Sequence, residues 1–164
     1  MNDAPRLEDS PDFFGHSIFC DDIRQEIDGK VTYVGAYTGN VMLVRAPLPI
    51  ALPKFCIGIA FAQRRKLFTP DIGIRIFIPG DSDEKASIEA QFTGPFELPE
   101  GGDDTYVRMT ANTVFSPFPI TQPGAIKVRI LREGVLHRLG AMDIRQELVP
   151  AEATPDATAS PPPS

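Results

Sequence analysis

The chain has 164 residues, 42% of them hydrophobic, with a net charge of −6 and a pI near 4.9. This supports a single domain with its own core and argues against nucleic acid as a partner, since the chain on average repels polyanions. Seventeen prolines and 13 glycines break the chain into short pieces, which suits strands joined by turns better than long helices.

The opening "MNDAPRLEDSPDF" is acidic and Pro-containing. Without an apolar h-region it predicts no secretory signal, and residues 1–12 read as a disordered leader. "SIFC" is a short apolar run closing on Cys20. "KVTYVGAY" (30–37) alternates, with Val31, Tyr33 and Tyr37 on one face, and Thr38-Gly39 turns it into "NVMLV" (40–44). Over 40–50, Pro47 and Pro49 would keep an open edge from accepting another strand. "LPKFCIGIAFAQ" (52–63) is apolar on both faces, as a central strand would be. "DIGIRIFI" (71–78) sets Ile72, Ile74, Ile76 and Ile78 at a strict period of two. After the turn "PGDSDEK" come "ASIEAQFTGPF" (86–96), the turn "LPEGGDD", and "TYVRMTANTVFSPF" (105–118). "AIKVRIL" (125–131) alternates Ile126, Val128 and Ile130 with Lys127 and Arg129, then turns at Arg132-Glu133-Gly134 into "VLHRLGAMDIRQEL" (135–148). The tail from 149 is Pro/Ala/Thr-rich, cannot bury enough apolar surface to order itself, and reads as disordered.

About eight short strands at regular spacing predict an all-β domain over 13–148. The expected fold is an antiparallel sandwich, immunoglobulin-like or C2-like, with the final hairpin as its last two strands. No apolar run reaches membrane-spanning length. Cys20 and Cys56 read as reduced, buried small hydrophobes, which points to a cytoplasmic protein.

Certain stretches carry a resemblance. "CDDIRQEIDGKVTYVGAY", with its Gly29-Lys30 turn, the Pro-rich segment ending "LPK" (52–54), and "PGAIKVRILREG" resemble a family of small uncharacterised bacterial and prophage-borne proteins. The resemblance covers about residues 18–148. It implies a β-sandwich and a phage or mobile-element setting, and it brings no catalytic residues.

The pentapeptide DIRQE occurs twice, at 22–26 and 143–147, each time six residues after one of the two histidines, His16 and His137. In an unbroken strand, residues of like parity share a face, so His, Asp, Arg and Glu of each copy would line up. Were the first and last strands parallel neighbours, His16, His137, Asp22 and Asp143 could offer imidazole and carboxylate ligands to Zn²⁺. Distance works against this. A His and an Asp six apart along one strand lie roughly 20 Å apart, so only cross-strand pairs could chelate. The plainer alternative is an amphipathic strand end, with exposed same-face ion pairs and an Ile anchored in the core. The flanks of the two copies share nothing, which argues against an internal repeat.

The acidic turns (Asp81, Asp83, Glu84; Glu100, Asp103, Asp104) lack regular Ca²⁺-loop spacing. Arg64, Arg65 and Lys66 of "QRRK" form the one basic cluster and are the candidate binding residues for a phosphate or an acidic partner. Nucleophilic catalysis finds no support. There is no G-x-S-x-G elbow, Ser17 and His16 face opposite ways in a strand, and Asp21 and Asp22 disfavour a Cys20 thiolate. The expected function is non-enzymatic protein binding, without a cofactor, by a cytoplasmic sandwich acting as a phage or prophage accessory factor. It is free to form homo-oligomers. The alternatives are a metal-binding module or metal-dependent enzyme on the His16/His137 face, and a structural subunit of a phage particle.

Overall fold

The computed structural model describes residues 11–92, 98 and 100–147. The described residues are all-β, with twelve strands. These are β1 (Phe13–Cys20), β2 (Asp22–Gln25), β3 (Val31–Val34), β4 (Val41–Val44), β5 (Ile50–Leu52) and β6 (Phe55–Arg64), followed by β7 (Ile72–Phe77), β8 (Ile88–Gln91), β9 (Tyr106–Phe115), β10 (Phe118–Ile120), β11 (Gly124–Arg132) and β12 (Val135–Gln146).

Two larger sheets enclose the core. One is three-stranded, in the order β1-β6-β9, with both pairings antiparallel. The doubly apolar run around 55–64 is its central strand, as the lack of alternation predicted. The other is five-stranded, in the order β4-β12-β11-β7-β8. Its pairs are antiparallel except β12 with β4, which run parallel. The facing sides interlock. Phe19, Phe55, Ile57, Ile59 and Phe61 from the first sheet pack with Ile72, Ile74, Ile76, Ile126, Val128, Ile130, Met142 and Ile144 from the second in one cluster. The arrangement is consistent with a sandwich. Two small ribbons, β2-β3 and β5-β10, complete the described strands.

Several expectations change in detail. The strand from Val31 ends at Val34, because Gly35 adopts a φ of 64° and turns the chain. Tyr37 therefore lies beyond the strand, where its hydroxyl donates to Asp21 at 3.0 Å. β5 and β10 were not expected, since prolines surround or interrupt both; Pro119 pairs with Ala51 in this two-stranded ribbon. β8 is shorter than the 86–96 segment, and 93–97 lie outside the described residues. So do 1–10 and 148–164, the bulk of the expected leader and tail. The leader's last two residues are held in place. Asp12 accepts the Arg64 amide through its backbone carbonyl, and the Tyr106 hydroxyl donates to the carbonyl of Pro11.

Candidate functional site

The two DIRQE copies are not neighbours. The first forms β2 and pairs with β3, Asp22 opposite Val34. The second ends β12, with Asp143 opposite Ala125 on β11 and Val41 on β4. The last strand does have a parallel neighbour, but it is β4, which carries neither histidine nor a DIRQE copy. His16 and His137 are also turned apart. The His137 ring packs tilted against Phe13, centroids 4.7 Å apart, on the side of β1 where Phe13 meets Phe61. His16, of opposite parity, lines a shallow groove with Phe14, Ala60, Ala62 and Arg108 on the outer face. Among the described residues no group of three His, Cys, Asp or Glu is placed to hold a metal. The structure thus does not bring His16, His137, Asp22 and Asp143 together.

Both copies instead form same-face ion pairs, the first as the whole of the short strand β2 and the second at the end of β12. Arg24 pairs with Asp22 at 3.3 Å and Arg145 with Asp143 at 3.2 Å, each two residues apart on one face. Ile144 is buried in the core. Lys54 also donates to Asp22, and this bond holds the Asp22 carboxyl below the usual carboxylate range. Reciprocally it raises Lys54. The depressed Asp22 adds stability that is present above the ordinary carboxylate range and fades as pH falls through its lowered native value. The raised Lys54 adds stability that is lost as pH climbs through its raised value. Lys54→Met should therefore show a small stability deficit across neutral pH that narrows on acidification, read from denaturation midpoints at a series of pH values.

The "QRRK" loop is met by the protein's own acids. Arg64 pairs with Asp12 at 3.0 Å and Asp104 at 3.3 Å, and its guanidinium lies over Tyr106. Lys66 lies 3.9 Å from Asp104, and the Arg65 amide donates to Thr105. The acidic turns are likewise engaged. Asp81 accepts from the amides of Ile78 and Ser87 and from the Ser87 hydroxyl, and Asp83 pairs with Lys127 at 2.8 Å. Gln63, the first residue of the motif, faces inward. It is fully buried, its amide donates to the Thr69 carbonyl at 3.2 Å, and its oxygen accepts from Arg132 at 3.1 Å.

The less neutralised positive charge lies elsewhere, on the outer face of the five-stranded sheet. Pairing sets Arg75 of β7 opposite Arg129 of β11, and Arg129 opposite Arg138 of β12. Three arginines therefore stand in one row across three adjacent strands. Alternation explains their direction. Ile74, Ile76, Val128 and Ile130 take the core positions, so Arg75 and Arg129 point outward. The register of β11 on β12 shifts by one residue between Val128 and Arg129, a bulge that brings Arg138 into the row.

Among the described residues one end of the row forms an ion pair, where Arg75 meets Glu89 at 3.5 Å. Among the described residues Arg129 and Arg138 form no ion pair. Arg129 donates instead to the carbonyls of Val128, at 2.9 Å, and Gly140, at 3.4 Å, which hold its guanidinium against the sheet. Burial and the Arg138 charge lower the Arg129 pKa, against the opposing pull of Asp83. Lys127, Asp83, Leu136 and Phe77 complete a cleft of about 450 Å³ there, with the Asp83 carboxylate held by Lys127 at 2.8 Å. Like charges directly opposite on a sheet are destabilising, so this row costs the fold something. Two arginines and Lys127 against the single carboxylate of Asp83 leave the cleft net positive, and its planar donors suit an anion. Reading the sequence missed these residues because each sits alone in its own strand. The available signal was an outward-facing arginine in three alternating segments, and only strand pairing joins them.

Compared with known proteins, the chain matches no family model, no curated protein and no solved structure. No helix among the described residues is long and apolar enough to cross a membrane.

Proposed function

We propose that this is a non-enzymatic β-sandwich protein, immunoglobulin-like in topology, that binds an acidic segment of a partner protein across the row Arg75–Arg129–Arg138. Support for the topology comes from the order β4-β12-β11-β7-β8, with the terminal hairpin β11-β12 inside the sheet and an early strand running parallel beside the last. The binding reading rests on one observation: among the described residues Arg129 and Arg138 face each other across adjacent strands with no carboxylate in ion-pair contact, the Asp83 of their cleft being taken by Lys127. A protein that carries a net −6 yet concentrates cations on one sheet face favours a short acidic stretch over a long polyanion. The anchoring of Arg129 by two carbonyls pre-orients one fork, which lowers the ordering cost of binding.

The test is titration of a synthetic oligoglutamate peptide into the full chain at low salt. Charge-assisted contacts contribute about 1.5–3 kcal/mol each, so Arg129→Gln/Arg138→Gln should weaken binding by about tenfold or more, and added salt should weaken the wild type. Equal affinity of wild type and double variant would remove the proposal. The same row predicts a gain in stability. Arg138→Gln relieves like-charge repulsion and should raise the unfolding free energy by a few tenths of a kcal/mol, roughly the lower end for cross-strand pairs, measured by urea denaturation.

A further inference from the structure

Cys20 ends β1 and stands directly opposite Cys56 on β6. They are the two cysteines of the chain, both free and fully buried. Cross-strand partners share a face, so the thiols point the same way, onto the outer side of the three-stranded sheet. The neighbouring bonds define the geometry further. The carbonyl of Phe19 accepts from the Tyr37 amide and the amide of Asp21 donates to Val34, so these residues turn their polar groups away from β6. Cys20, between them, turns its own toward β6, which makes Cys20–Cys56 the hydrogen-bonded kind of antiparallel pair. Such pairs have Cα atoms about 5.5 Å apart, inside the span that a disulfide bridges.

The β2-β3 ribbon covers this spot. Asp21 offers its carbonyl to the Cys56 thiol at 3.7 Å, and Tyr33 lies over Gly58, two residues along β6, so closely that a Cβ there would fall 2.3 Å from its ring. A small oxidant is therefore favoured over a bulky one.

We propose that Cys20 and Cys56 form an oxidative modification site, at which hydrogen peroxide joins them in an intramolecular disulfide that fastens β1 to β6. In the first step one sulfur attacks a peroxide oxygen. The S–O bond forms, the O–O bond breaks, and one water leaves. The second sulfur then attacks the sulfenic sulfur, the S–S bond forms, the S–O bond breaks, and a second water carries off the remaining oxygen. Both sulfurs are oxidised, the peroxide is reduced to two waters, and the two thiol protons end in those waters. Burial, with Cys56 and Asp21 adding, pushes the Cys20 thiol up to about 11. The groups acting on the pair are Asp21, Asp22, Lys54 and Tyr37. The thiolate reacts, so oxidation should be slow at neutral pH and quicken as pH rises.

Treating the folded full chain with hydrogen peroxide tests this by intact mass, thiol titration and non-reducing peptide mapping. The expected result is a mass lower by two hydrogens, loss of both thiols together, one peptide linking residues 20 and 56, reversal by a reductant, and a raised melting temperature. Cys20→Ser and Cys56→Ser should each abolish the mass loss. Both thiols surviving at alkaline pH in the folded protein would overturn the proposal. So would one thiol converted to sulfinic acid beside a free partner, or a disulfide formed only between chains. The wild-type mass and map decide the matter even where a variant fails to fold.

Discussion

Phe55→Ala should destabilise the protein by about 3–5 kcal/mol, the usual range for removing a large aromatic side chain from a packed core. Phe55 is fully buried at the start of β6. Its ring meets four others: Phe118 at 4.8 Å, Phe115 at 6.1 Å, Tyr37 at 6.2 Å and Phe19 at 6.4 Å. These come from β10, β9, the turn after β3, and β1, so one side chain joins four separate segments. Truncation leaves a cavity whose walls belong to different strands, each held by its own ladder, and partial collapse is all the site can manage. The measurement is the urea midpoint and slope. A loss below about 1.5 kcal/mol, the ceiling for well-tolerated hydrophobic swaps, would show that these rings repack and that Phe55 is not their hub.

Arg132→Met should cost about 1–3 kcal/mol, the penalty for leaving a buried polar group unsatisfied. Arg132 donates to the buried oxygen of Gln63 and, at 2.6 Å, to the Leu67 carbonyl, and so ties β11 to the turn after β6. Its side chain is only 15% exposed, which leaves little room for water to replace it. Gln63→Met alone takes one acceptor from Arg132, which keeps the Leu67 carbonyl and Glu133. The double variant removes both polar groups and should lose less than the sum of the two single losses, a coupling that a double-mutant cycle reads directly. Strict additivity would mean that Gln63 finds a substitute donor, and that the link across the sandwich is not what orders the turn.

Gln63 also shows how local reading goes astray. In "QRRK" it looks like part of a polar loop, yet it is the last inward position of a buried strand, and the cations beside it are matched by Asp12 and Asp104, distant in sequence. The DIRQE copies show the opposite case. Their same-face Asp–Arg pairs were readable from parity alone and hold in both places, whereas the core-anchored Ile of a strand end holds only for the second copy. Their relation to one another was not readable, because it depends on which strand each end pairs with.

The all-β character, the inward set of β7 and β11, the central position of β6 and the burial of both cysteines were legible in the residue pattern. Each of these follows from side-chain alternation or composition within one segment, and alternation is a local property of an extended chain. That Arg75, Arg129 and Arg138 share a row, that Cys20 faces Cys56, and that His16 and His137 turn apart emerged with strand pairing. Those facts follow from strand order and register, including a one-residue bulge. Register is set by burying both sheets' apolar faces at once, and no single segment contains that information.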